Sequence, residues 1–221
     1  MAISYNSTSR FNEDSSSSST TTWSHTCNAS DTKLIVICGG RSAITGITYN
    51  GVSMTKISDQ TSGSYQFNST YYLDNPPTGN AYNIVATYSS SNQYRSALAV
   101  GLSGATAGIG ATGSNDSNFV VSVPKTVTSS ITTTVNNSHI FTIPNCNDYS
   151  FVFCTFGASQ TEILRNTAAN WGFAFQYKVK ATAGADTTTL TNTGAVNNIM
   201  ITSFELKEAA PTNTVNFLML M

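Results

Sequence analysis

Charge is scarce in this chain. Only 10% of its 221 residues are Asp, Glu, Lys or Arg, and the net charge is −1. Such a surface sets up no long-range field to attract a phosphate backbone or an anionic membrane, so nucleic acid is not an expected partner. There are two histidines, His25 and His139, and four cysteines, Cys27, Cys38, Cys146 and Cys154, with no C-x-x-C pair. Each cysteine lies in or beside an apolar run, which predicts buried free thiols acting as small hydrophobes; the even count leaves two disulfides as the alternative. No apolar run approaches the ~20 residues that span a bilayer, and the closing NFLMLM is too short, so membrane insertion is not expected. The N-terminus MAISYNSTSRFNEDSSSSS has neither a basic nor an apolar leader region, which points to synthesis in a cytoplasm. No lysine follows the glycine-rich loop Gly104–Ser114, so a phosphate cradle is not expected there; flexibility or close backbone packing explains it better.

What is present is the grammar of antiparallel β-structure. Ile44 to Ile57, ITGITYNGVSMTKI, places Asn50-Gly51 between two short β-type runs, the pair that supplies both φ > 0 residues of a type I′ hairpin turn. Lys33 to Cys38, KLIVIC, is a continuous apolar run closed by Gly39-Gly40, the pattern of a strand buried on both faces. Ser64 to Leu73 reads as a strand that Pro76-Pro77 stops by removing two ladder donors. Further strands are expected at Asn83–Ser89, Ala97–Leu102, Asn118–Val123, Ile131–Val135, His139–Ile143, Tyr149–Phe156 and Asn198–Leu206. Trp171 to Val179 alternates most clearly, with Trp171, Phe173, Phe175, Tyr177 and Val179 on a core face and Gly172, Ala174, Gln176 and Lys178 on a face that is wet or covered by small residues. Only Ser159–Asn170 is expected to form a helical turn.

About a dozen short strands joined by Gly, Pro, Asn and Ser turns predict an all-β fold, a two-sheet antiparallel β-sandwich of jelly-roll type with little or no helix. The hydroxyl-rich segment 1–22 buries too little apolar surface to fold alone and reads as a linker or arm. No internal repeat is evident, so residues 23–208 are expected to be one sandwich, with 209–221 an apolar tail.

The succession KLIVIC, ITGITYNGVSMTKI, TYYLDNPPTGNAYNIVATYS and SALAVGLSGA resembles a family of jelly-roll, concanavalin-like β-sandwich domains found in bacteriophage virion proteins and bacterial surface proteins. The likeness is carried by Thr48–Thr55, Tyr72–Gly79 and Leu102–Gly104, spans about residues 31–105, and extends loosely to Leu206. Met54 stands where leucine is usual, and the apolar end from Val215 departs from the pattern. The resemblance implies an assembly or recognition module with no catalytic residues and no cofactor. The expectation is a virion structural protein on the particle surface, a capsid decoration, head fibre or tail-associated component, with other virion proteins and copies of itself as partners. The alternative is a carbohydrate-binding adhesin or host-recognition lectin, extracellular or at a cell surface, with a host-surface glycan as ligand.

Sugars stack on flat rings while Asn, Ser and Thr bond their hydroxyls, which makes Trp23, Tyr65, Tyr71 and Tyr94 the candidate glycan contacts, against a core role favoured for Trp23 and Tyr71. The end of the chain, Phe217, Leu218, Met219, Leu220 and Met221, is costly to leave in water and is the candidate assembly contact, either as an added edge strand or on a neighbouring subunit. A metal site at His25 and Cys27 lacks ligand spacing, so both histidines are expected at solvent-facing strand positions. Paired-carboxylate hydrolysis would require Asp74 to meet Asp148 or Glu162 across a cleft, and no local pattern marks them.

Overall fold

Alternating β-branched and aromatic residues between Gly, Asn and Pro punctuation produce a chain of strands joined by tight turns. The computed structural model describes residues 2–13, 18–62, 66–92, 94–116, 124–147, 154–166, 171–193 and 199–210. Within them lie β1 (Ser4–Glu13), β2 (Ser18–His25), β3 (Lys33–Gly40), β4 (Ile44–Tyr49), β5 (Val52–Ser53), β6 (Thr55–Ser62), β7 (Gln66–Asp74), β8 (Tyr82–Asn92) and β9 (Arg95–Ser103). The second half supplies β10 (Thr112–Asp116), β11 (Lys125–Thr133), β12 (Ser138–Asn147), β13 (Cys154–Phe156), β14 (Thr161–Asn166), β15 (Trp171–Lys180), β16 (Gly184–Asn192) and β17 (Ile199–Leu206). No helix occurs among the described residues, and the all-β antiparallel sandwich expected from the sequence is what forms.

That sandwich is built twice. A first inner sheet runs β1-β9-β3-β7-β6 against a first outer sheet β2-β8-β4-β5. A second inner sheet runs β10-β17-β12-β15-β14 against a second outer sheet β11-β16-β13. Replacing β1, β2, β3, β4, β6, β7, β8 and β9 by β10 to β17 in order turns the first pair of sheets into the second, with β5 as the one surplus strand. Register agrees as well: Ile35 lies between Tyr72 and Val100, and Phe141 lies between Tyr177 and Phe204. The expectation of one sandwich without internal repeat is therefore corrected to two topologically equivalent sandwiches.

The two inner sheets pack face to face, giving four layers. Alternation along β3 explains how: Leu34, Val36 and Cys38 enter the first sandwich's core, while Ile35 and Ile37 point the other way. There they meet Leu98, Val100, Phe141, Phe173, Phe175 and Phe204 in the central layer. Each such aromatic or branched side chain gains roughly 1.5–3 kcal/mol from full burial. Val127, Cys146, Ala174, Leu190 and Ile201 lie in the core of the second sandwich. Of the two states expected for the other face of β15, wet or covered by small residues, the covered one forms, with Ala174 and Gln176 beneath the second outer sheet at 0% and 1% exposure.

Two further expectations change. The polar segment 1–22 is no arm over 4–13 and 18–22, since β1 pairs with β9 and β2 with β8. The expected helical turn is strand β14 over Thr161–Asn166, with a register shift between Glu162 and Leu164 that interrupts alternation. The strand expected at Asn118–Val123 lies outside the described residues.

Candidate functional site

Both outermost layers turn hydroxyls outward. On the first outer sheet, β2 buries Thr21, Trp23 and His25 and exposes Thr20, Thr22 and Ser24. Cross-strand pairing sets Thr22 beside Val85 and Val85 beside Thr48, and Thr20 beside Thr87. On the second outer sheet, β11 buries Val127, Ser129 and Ile131 and turns Thr126, Thr128, Ser130 and Thr132 outward. Thr191 and Thr189 of β16 stand beside Thr126 and Thr128, and the Thr126 and Thr191 hydroxyls bond at 2.8 Å. β-branched threonine suits such a pleated face, with its methyl packed and its hydroxyl free to exchange partners.

Open depressions mark each face. The first, about 430 Å³, sits beside the Asn50-Gly51 turn and is lined by Thr48, Asn50, Tyr82, Asn83 and Val85. The turn has φ of 49° at Asn50 and 75° at Gly51, as the sequence predicts. The Tyr82 ring stands edge-on to buried Tyr49, with centroids 5.8 Å apart, and its hydroxyl accepts from Asn80 Nδ2 at 3.2 Å. The second, about 550 Å³, is lined by Thr112, Ser130, Thr132, Asp186 and Thr187. Its acid is engaged: Lys178 Nζ lies 2.7 Å from Asp186 Oδ1 and Lys180 Nζ 3.5 Å from Oδ2. Burial alone would raise the Asp186 carboxyl, yet the two lysines and the Thr187 amide hold it below its usual range.

The candidate ring contacts are not brought together. Trp23 and Tyr71 are 7% and 3% exposed within the first core, so neither presents a stacking face. Tyr94 is half-buried with the Arg41 guanidinium 4.3 Å from its ring centroid, while Tyr65 and Phe217 to Met221 lie outside the described residues. Tyr82, which sequence reading passed over, borders one of the open depressions; only its place beside Asn83 in a strand following a Gly-Asn turn marks it in the sequence.

The histidines are interior, correcting their expected exposure. His25 is 3% exposed and its ring nitrogens face the Ser9 and Ser7 hydroxyls at 2.9 and 3.3 Å; His139 is 5% exposed with Tyr5 Oη at 3.0 Å. Both therefore fasten β1, whose polar residues fold because each finds a partner across the sandwich. Cys27 sits against the Tyr49 hydroxyl instead of a ligand set, and the described residues hold no cluster of three or more metal-ligating side chains. Asp74 pairs with buried Lys33 and accepts from the Gly108 amide at 2.7 Å, and Glu162 bonds Arg165 at 2.6 Å; Asp148 lies outside the described residues. The glycine-rich loop links the sandwiches by close backbone packing: Gly110 leaves no room for a Cβ beside Glu205.

Two carboxylates perform the same task from different places. Asp31, on the β2–β3 connection, accepts from the Asn28 amide and the Ser7 hydroxyl, both at 2.9 Å, above Gly101. Glu205 stands on β17 where the first sandwich has Gly101 on β9. It accepts from the amides of Thr134, Val135 and Ala111 and from the Ser138 hydroxyl. Burial opposes its ionisation, and this ring of donors outweighs burial and brings the carboxyl down to about 2.

Comparison with protein-family models, with curated proteins and with solved structures finds no match to this chain.

Proposed function

We propose that this protein is a structural component of a bacteriophage virion, a capsid decoration, head fibre or tail-associated part that acts by assembly and surface display. The observation that supports the reading is the pair of hydroxyl-rich faces, poor in charge, turned outward on opposite sides of one four-layer body. Such a body has a rigid apolar interior and two broad surfaces that exchange hydrogen bonds with neighbours without strong charge selection. The resemblance carried by residues 31–105 points the same way. Its partners in this reading are other virion proteins and further copies of the chain. Gold-labelled antibody raised against the purified protein should decorate phage particles produced in the source organism's host; unlabelled particles, with the antigen left in the soluble fraction, would contradict the proposal.

A second reading, glycan recognition, is favoured by the depression at Tyr82. An uncharged ring edge, two asparagines and a threonine are the groups that meet sugar hydroxyls. A glycan array in which Tyr82→Ala removes a signal given by the intact protein supports it, and a blank array with intact protein removes it.

A further inference from the structure

We infer that Cys146 and Cys154 are a dithiol site for disulfide exchange, a modification site that ties the second inner sheet to the second outer sheet when a small-molecule disulfide is available. Cys146 stands on β12 of the inner sheet and Cys154 on β13 of the outer sheet. Both thiols are buried, and neither is in a disulfide in this structure. They meet across the gap between the sheets, in hydrogen-bond contact with one another, and one side chain serves both: Asn192 Nδ2 lies 3.0 Å from Cys154 Sγ and 3.6 Å from Cys146 Sγ. Cys27 and Cys38, the other two, sit in the first core.

The arrangement assigns the two sulfurs different roles. The Cys146 thiol and the Asn192 amide favour negative charge on Cys154, holding its thiol below the ordinary range against the effect of burial, whereas burial drives Cys146 well up. Among the described residues Cys154 also lies on the edge strand of its sheet, and an edge strand opens more readily than a central one. Cys154 thiolate attacks one sulfur of oxidised glutathione, the S–S bond breaks, and one glutathione thiolate leaves. Cys146 then loses its proton to solvent and attacks Cys154 Sγ, releasing the second glutathione thiolate. Two cysteine thiols are oxidised and one glutathione disulfide is reduced.

The second sandwich has reason to hold such a tie. Its interior carries polar groups: the Thr188 and Ser203 hydroxyls bond at 2.8 Å, and the Gln176 amide is buried without a partner there.

The test is incubation of the full chain with excess oxidised glutathione, followed by alkylation in denaturant, intact mass and peptide mapping without reductant. The expected result is loss of two hydrogens, two of the four cysteines protected from alkylation, one cross-linked peptide pair joining Cys146 to Cys154, and an upward shift of the thermal midpoint that a reductant reverses. In Cys146→Ser the product should be a glutathione adduct on Cys154. Four alkylated cysteines after oxidation, or a link between Cys27 and Cys38, overturns the assignment.

Discussion

Gln60 and Asn166 occupy the same place in the two sandwiches, and each reaches across to the other one. Gln60 pairs with Asn68, which pairs with Gly39; Asn166 pairs with Phe173, which pairs with Asn145. From β6, Gln60 donates to the Asn115 and Ile201 carbonyls at 3.2 and 3.1 Å and accepts from Thr202 at 2.8 Å. From β14, Asn166 donates to the Ser96 hydroxyl at 2.8 Å and bonds Asn12. The halves are thus related by a pseudo-twofold axis, and the same surface serves both partners as in an isologous dimer.

Asn166→Ala strips a buried network of its donor and should cost about 1–3 kcal/mol, while half-buried Gln60→Ala should cost about 0.5–1.5 kcal/mol. The two seams are four strand spacings apart, about 19 Å, so the double variant should be additive to about 0.5 kcal/mol. Urea denaturation of the three variants checks this.

The central layer should make the two sandwiches unfold together. Phe141 and Phe204 are fully buried on adjacent strands with ring centroids 5.1 Å apart, facing the first sandwich. Phe204→Ala should cost about 3–5 kcal/mol and lower one shared transition. Two separated transitions in calorimetry of the intact chain would contradict the shared layer.

Acid should loosen β1 before it unfolds the rest. His25 is pushed down to about 4 by burial, with Asp31 partly opposing; Ser7 and Ser9 from β1 and Tyr49 from β4 are its other neighbours. Its folded value lies below its unfolded one, so its contribution is whole above about pH 6.5 and is lost as the pH falls toward 4, on the order of 3 kcal/mol. His139, lowered by burial against the pull of Glu208, acts in the same direction. Glu205 adds a second stage, since a carboxyl held at about 2 stabilises above pH 4.5 and loses that contribution below it. Urea midpoints should therefore fall between pH 7 and 4.5, and His25→Gln should flatten that slope.

Gly101→Ala should be poorly tolerated although its backbone is ordinary strand. An added Cβ meets the Asp31 carboxylate and the Ser7 hydroxyl. Displacing that carboxylate from Asn28 and Ser7 should cost about 1–3 kcal/mol, and exchange of the Asn28 amide proton should accelerate.

Elements whose character is written in local sequence, as an apolar run or a turn pair, were legible. KLIVIC reads as buried on both faces and is, and Asn50-Gly51 reads as a type I′ turn and is. The duplication was not legible because equivalent positions carry unlike residues: Lys33 matches His139, Leu98 matches Thr202, and the carboxylate of Asp31 is replaced by one from Glu205 on another strand. Pairing between distant strands defines the repeat, and a linear pattern does not display it. β1 was missed because Ser7 and Ser9 are held by hydrogen bonds to Asp31 and His25, leaving no apolar period to read. In β14 the register shift between Glu162 and Leu164 interrupts the alternation that marks a strand. Of the candidate surface, the hydroxyl richness was visible in composition, but which tyrosine stands at the surface depends on which face of each strand the second sheet covers.

The most direct measurement of the back-to-back arrangement is the nuclear Overhauser effect between Gly39 and Phe173. These residues belong to different sandwiches, and the Phe173 ring fills the space a Cβ on Gly39 would need. Strong cross-peaks between the Gly39 α-protons and the Phe173 ring protons are predicted. Their absence, with both spin systems assigned and the strands intact, would contradict the four-layer account.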